Sequence, residues 1–188
     1  MHVMATYEEL RAVRMQKMQL LVDAGMAPFA GDVERDYPLV ELVKQFTDLQ
    51  NKNAEVSVAG RIMSIRGQGA ILFVSLFDGT EKFQVVFKKD EIDENLFNLF
   101  TDAIDIGDFI QVTGSLFVTK AGQNSLLVTS WKILTKGLLA LPDKWHGLQD
   151  VEETQRKRYL DILMDEETRN RFIIRSKIVT YKIGRAHV

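Results

Sequence analysis

The stretch that decides the fold runs from Ala59 to Phe87 and reads AGRIMSIRGQGAILFVSLFDGTEKFQVVF. Asp78-Gly79 stands between two runs of strand-forming residues, and an Asp-Gly pair in that position is the strongest short-range signal of a β-hairpin. A turn centred between Asp78 and Gly79 pairs Phe73 with Gln84 on one face of the hairpin. The opposite face then carries only large apolar side chains, which predicts that it packs in a core. These are Leu72, Val74, Leu76, Phe83, Val85 and Phe87.

The first face of the hairpin combines an aromatic ring, Phe73, with a side-chain amide, Gln84. An exposed ring can stack on an unpaired nucleobase, and an amide can hydrogen-bond to its Watson–Crick edge. Arg61, on the preceding strand, is placed to add a phosphate contact. The same residues also fit an ordinary hairpin with one exposed phenylalanine and one exposed glutamine, and a slip of one residue would exchange the two faces.

The rest of the chain supplies the other elements of a small barrel. Hydrophobic spacing and turn residues predict helices from Thr6 to Gly25 and from Leu39 to Leu49, followed by a strand from Glu55 that breaks at Arg66–Gly69. After the two hairpin strands they predict a helix within Asp90–Ile104. Two further strands are predicted, one from Phe109 that bends at Gly114 and one from Ser125 to Leu134. Three strands, a helix and two strands is the order of an OB-fold, a five-stranded Greek-key barrel. Its ligand face is formed by strands two and three and by the loops that join strands 1–2 and 4–5.

Composition excludes several classes of protein. The chain has no cysteine and no apolar run long enough for a membrane span, which predicts a cytoplasmic protein without disulfides. Three scattered histidines predict no metal centre, and no nucleophile–base pair or phosphate-binding loop is evident, so no catalytic residue is assigned. The net charge of −2 means that nucleic-acid binding would need a local basic patch. A basic stripe on the first helix, Arg11, Arg14 and Lys17, predicts a solvated face, with contact to RNA as the alternative.

The segment after the barrel resembles class II lysyl-tRNA synthetases. The runs that carry the resemblance are Leu134-Thr135-Lys136, Leu141-Pro142-Asp143-Lys144-Trp145-His146-Gly147-Leu148, Arg158-Tyr159-Leu160-Asp161 and Arg175-Ser176-Lys177. In that family they join the anticodon-binding barrel to the catalytic domain. The early segment from Gly25 to Phe29 is similar to the end of the family's helical extension. The resemblance extends to about Lys182 and includes the beginning of the motif 1 helix, but not motifs 2 and 3.

The resemblance also implies roles for individual residues. Phe73 matches the aromatic residue that stacks on the central anticodon uridine, Gln84 matches the glutamine that hydrogen-bonds it, and Arg61 matches the arginine after the barrel's first glycine. Gln123, in the strand 4–5 loop, is the fourth residue predicted to bind the anticodon, and it stands where the family usually has an acid. Ser130 also replaces an acid common in the family. These two departures put recognition of the flanking anticodon bases in question.

The sequence thus predicts a fragment of a lysine–tRNA ligase whose intact parent, a homodimer, uses ATP and Mg²⁺ to charge tRNA-Lys. The fragment itself would bind no cofactor, would be inactive, and would bind the anticodon loop. Its predicted parts are a helical extension (1–53), the barrel (54–135), a linker (136–150), the start of a truncated catalytic domain (151–182) and a non-native tail (183–188). The alternatives are a stand-alone, non-catalytic RNA-binding module and a barrel that contacts proteins.

Overall fold

The chain forms two units, residues 1–140 and 141–188. A computed structural model describes residues 7–142 and 151–185. The division after Ala140 falls within the predicted linker, 136–150. The exact predicted bounds of the extension, barrel, linker and catalytic segment stay predictions.

The first unit is a closed barrel preceded by two helices. Its strands pair in the order β1-β2-β3-β5-β4, and β4 pairs back onto β1 to close the barrel. The elements are α1 (Tyr7–Asp23), α2 (Leu39–Asn51), β1 (Glu55–Gln68), β2 (Ile71–Phe77), β3 (Lys82–Lys88), α3 (Glu94–Ala103), β4 (Phe109–Val118) and β5 (Asn124–Thr135). Neighbouring strands are antiparallel except for β3 and β5, which are parallel. The predicted five-stranded OB-fold, mainly β with α, is confirmed.

The hairpin β2–β3 supplies one wall of the core. Its pairs Leu72–Phe87, Val74–Val85 and Leu76–Phe83 all point inward and are buried, as predicted. Phe100 on α3 closes the barrel's end by stacking on Phe87, with the two ring centroids 4.0 Å apart. Trp131 packs edge-on against Phe100 and is itself buried in this core.

The predicted hairpin register is wrong by two residues. Phe73 pairs with Val86, and Gln84 pairs with Ser75. The cause is a longer turn, because Phe77 pairs with Lys82 and leaves Asp78 to Glu81 in the loop. The Asp78 carboxylate accepts hydrogen bonds from the Thr80 amide and, across the molecule, from the Leu39 amide at the start of α2, each at 2.9 Å. A shift of two residues preserves which face each side chain occupies, so Phe73 and Gln84 still share the outer face.

The structure corrects the predicted break in β1 and agrees with the predicted bend in β4. β1 does not break at Arg66 but continues to Gln68, with a bulge between Ile62 and Ser64. The predicted bend at Gly114 coincides with a register shift against β5. A Cβ at Gly114 would lie 1.9 Å from the Leu127 carbonyl oxygen, so only glycine permits this close approach.

Two of the three residues in the basic stripe on α1 are bonded to distant parts of the first unit, so the prediction of a solvated face is wrong for them. Arg14 donates hydrogen bonds to the carbonyls of Gly137, at 2.6 Å, and Leu139, at 3.0 Å. Lys17 donates to Asp105 at 2.6 Å. The prediction missed these partners because they lie far away in sequence.

Lys136 forms the centre of this junction between α1, the α3–β4 loop and the end of β5. Its side chain is fully buried and its ammonium group lies 2.7 Å from Asp105 and 2.7 Å from Asp108, whose side chain is also fully buried. Burial alone would raise the pKa of Asp105, but hydrogen bonds and positive charge from Lys136 and Lys17 outweigh it, so this pKa lies below its usual value. Asp105 and Asp108 thus neutralise a buried lysine.

The second unit contains three helices in its described part: α4 (Val151–Arg156), α5 (Arg158–Met164) and α6 (Glu166–Arg185). Asp165 caps α6 by accepting a 3.0 Å hydrogen bond from the Thr168 amide. Several large apolar residues of this helix are exposed, namely Phe172, Ile173, Ile174, Ile178 and Val179. The helix continues through Ile183–Arg185, which are the first residues of the predicted tail.

Other predictions lie outside the described residues, namely the Thr6 helix start, Trp145, His146 and the end of the tail. No helix in the described ranges is long and apolar enough to cross a membrane.

We expect Lys136→Met to lower the free energy of unfolding by about 3–5 kcal/mol, because it leaves the buried Asp108 carboxylate without its counter-charge. Urea unfolding followed by tryptophan fluorescence measures this loss. Lys132→Met is the matched control, since Lys132 lies nearby on β5, which ends just before Lys136, and is only half-buried. Equal free energies for the two variants would contradict a structural role for the Lys136 cluster.

Candidate nucleic-acid interface

The outer face of the barrel carries a row of side chains set by strand pairing. Arg66 on β1 pairs with Phe73 on β2, and Phe73 pairs with Val86 on β3. Gly67, next to Arg66, has a φ of +133°, and a Cβ there would lie 2.3 Å from the Ile71 carbonyl oxygen. Glycine at this position therefore lets β1 turn tightly into β2 and keeps Arg66 beside Phe73.

A groove of about 810 Å³ lies over this row and under the β4–β5 loop. Its lining residues are Arg66, Ile71, Phe73, Gln84, Val86, Lys88, Phe117, Val118, Thr119, Lys120, Ala121 and Gln123. They come from strands β1 to β4 and from the β4–β5 loop, which is the ligand face expected of an OB-fold. Three of the four predicted binding residues, Phe73, Gln84 and Gln123, meet in this one groove.

Phe73 is half-buried and its ring belongs to the outer face rather than to the core. The described aromatic pairs involve the inner-face rings Phe83 and Phe87 but not Phe73. A ring that is held by a strand and not covered by another ring has a face available for stacking on a planar ligand.

Gln84 is buried, whereas the hairpin pattern predicted an exposed amide. Its side chain is only 7% exposed because β5 runs alongside β3 and covers it. The Gln84 amide nitrogen donates a 2.8 Å hydrogen bond to the Ser125 hydroxyl. The amide is therefore held in place at the floor of the groove rather than free in solvent.

Gln123 is exposed on the β4–β5 loop, at the rim of the groove. The loop closes through a 2.8 Å hydrogen bond from the Gly122 amide to the Thr119 carbonyl and a 3.0 Å bond from the Gln123 amide to the Thr119 hydroxyl. This internal bonding gives the loop a defined shape next to Phe73 and Gln84.

Arg61 does not line the groove. Its guanidinium lies over the Phe109 ring, 4.2 Å from the centroid, and donates a 3.1 Å hydrogen bond to the Gly107 carbonyl. Burial lowers the pKa of Arg61, and the nearby Asp108 carboxylate offsets part of this effect. Its predicted contact with nucleic acid stays a prediction.

The groove instead has its own positive charge, which sequence reasoning missed. Arg66, Lys88 and Lys120 line it, and none of the lining residues is acidic. Lys88 lies 5.7 Å from the centroid of the Phe117 ring. A signal for two of these residues was present, because Arg66 and Lys120 fall in the two loops predicted to border the ligand face. Lys88 could also have been found, because alternation along β3 places it on the same face as Gln84 and Val86 in either register.

Comparison with known proteins agrees with this geometry. Residues 56–134 match the tRNA anti-codon family, an OB-fold nucleic acid binding domain. The chain is 40% identical over 181 residues to the lysine–tRNA ligase of Bacillus subtilis (strain 168), covering 92% of this chain and 36% of that protein. It is 42% identical over 176 residues to the lysine–tRNA ligase of Shouchella clausii, with 91% and 35% covered, and 38% identical over 168 residues to lysine–tRNA ligase 2 of Methanosarcina mazei, with 89% and 33% covered.

The barrel is thus an OB-fold nucleic acid binding domain, and its groove lies where such domains hold their ligands. About nine-tenths of the chain is homologous to lysine–tRNA ligases, and the chain spans about a third of the length of the curated relatives it matches.

We expect Phe73→Ala to lower the free energy of unfolding by less than about 1 kcal/mol, because the ring lies on the outer face. Phe87→Ala, the matched change on the inner face, should cost about 3–5 kcal/mol. Urea unfolding of both variants measures the difference. Similar losses for the two would mean that Phe73 is a packing residue and not a free platform.

Proposed function

We propose that this chain is the anticodon-binding part of a lysine–tRNA ligase and that its groove holds the anticodon loop of tRNA-Lys. The observation that carries the proposal is the groove itself, which combines a free aromatic ring, a fixed amide and three basic side chains on a chain whose net charge is −2. The names of the relatives, all lysine–tRNA ligases, supply the identity of the RNA.

In this proposal each groove residue has a distinct task. Phe73 stacks on the central uridine of the anticodon, and Gln84 hydrogen-bonds to its Watson–Crick edge. Gln123, on the loop above, contacts a flanking base. Arg66, Lys88 and Lys120 attract the phosphates that approach from both sides of the groove.

The intact enzyme would be a class II, homodimeric, cytoplasmic synthetase that joins lysine to tRNA with ATP and Mg²⁺. The residues described here do not fit a metal centre, since they contain no cluster of three or more His, Asp or Glu side chains able to hold an ion. The contribution assigned to this chain is therefore RNA binding.

Phe73→Ala should weaken binding of an RNA stem-loop with a UUU anticodon by about 1–3 kcal/mol, because one base–ring stack is lost. Fluorescence anisotropy titration of the labelled stem-loop with the full chain gives the dissociation constants. Phe29→Ala is the matched control, because Phe29 is 57% exposed and lies outside the groove. If Phe73→Ala binds the stem-loop as tightly as the parent chain, the groove is not the binding site.

A second measurement separates Arg66 from Arg61. Arg66→Gln should reduce the slope of log K against log salt concentration by about 0.7, the value for one phosphate contact to a single strand. Arg61→Gln should leave the slope unchanged, since its guanidinium is engaged by Phe109 and Gly107. The same titration at several salt concentrations provides both slopes. A reduced slope for Arg61→Gln together with an unchanged slope for Arg66→Gln would mean that Arg61, and not Arg66, contacts the RNA.

A further inference from the structure

A chain of two hydrogen bonds crosses the floor of the groove. The side-chain amide nitrogen of Gln84 donates to the Ser125 hydroxyl oxygen at 2.8 Å. The Ser125 hydroxyl in turn donates to the backbone carbonyl oxygen of Gln123 at 3.2 Å. Parallel pairing of β3 with β5 places Gln84 next to Ser125, and Ser125 is fully buried. The three residues therefore form one fixed unit.

The chemistry of this unit decides which end of the Gln84 amide faces Ser125. A carbonyl oxygen only accepts hydrogen bonds, so the single hydroxyl proton of Ser125 is committed to Gln123. The Ser125 oxygen is then an acceptor for Gln84, and only the amide nitrogen of Gln84 has protons to donate. The carboxamide oxygen must lie on the other side.

That oxygen is open to the groove. It accepts no hydrogen bond from the described residues, and within the described ranges no buried side-chain nitrogen or oxygen lacks a partner. The Gln84 oxygen is therefore accessible to solvent, and Gln84 lines the groove. A ligand base beside Phe73 meets a hydrogen-bond acceptor whose orientation is fixed.

We infer that Ser125 is a positioning residue that makes the site prefer uracil to cytosine by holding the Gln84 oxygen toward the stacked base. Uracil has an N–H at position 3 of its ring, which the oxygen accepts, whereas cytosine has an acceptor there and would face another acceptor. The two pyrimidines have the same size, so shape and stacking do not separate them. This inference rests on the proposed function and adds a determinant of its specificity.

The experiment compares stem-loops with UUU and UCU anticodons, titrated by fluorescence anisotropy with the full chain and its variants. The parent chain should bind UUU about tenfold or more tightly than UCU, as expected for one base-specific contact. Ser125→Ala frees the amide to turn over and offer its nitrogen to cytosine, so the ratio should fall below about threefold through tighter binding of UCU. Ser115→Ala, which removes an exposed hydroxyl from β4 outside the groove, should keep the parent's ratio.

The outcomes are distinct. An unchanged ratio in Ser125→Ala overturns the inference but leaves the proposed function standing. Equal, weak binding of both stem-loops by the parent chain overturns the proposed function and the inference with it.

If thermal unfolding shows that Ser125→Ala is not folded, Gln84→Glu decides. Its carboxylate presents an acceptor to the groove whichever way it turns, so the parent's ratio should persist even though the added charge weakens binding of both loops. A ratio below about threefold in Gln84→Glu overturns the inference.

Discussion

The alternation of side chains along β2 and β3 is the constraint on which the rest of the molecule depends. Leu72, Val74 and Leu76 must point inward to fill the barrel, and the residues between them are thereby forced outward. Phe73 is one of these residues. The outward position of this ring is thus a consequence of the same pattern that builds the core, and no separate element is needed to present it.

The parallel pairing of β3 with β5 converts this outward face into a groove. It brings Ser125 beside Gln84 and carries the chain on from the β4–β5 loop that contains Gln123. The loop and strand together supply one wall, and the end of β1 with Arg66 supplies another. The pairing of β3 with β5 that helps to close the barrel therefore also forms the binding site.

Sequence reasoning predicted the fold, and it placed Phe73 and Gln84 on one outer face, because both results depend on periodicity. The five strands and the inward set followed from alternation, and the two-residue error in register did no harm since it preserved the faces of Phe73 and Gln84. What it could not find were features that depend on contacts between distant segments. The burial of Gln84, the partners of Arg14 and Lys17, and the buried charge of Lys136 all arise from residues that meet only in the folded chain.

The attachment of α1 has a consequence for the order in which the first unit folds. Arg14 binds the carbonyls of Gly137 and Leu139, which are 123 and 125 residues further along the chain. Contacts of such separation form late, after local hairpins, because the intervening chain must first lose its freedom. During synthesis α1 emerges before β5 and has no docking site until β5 and the residues after it have left the ribosome. This helix is therefore made long before the surface that holds it in place.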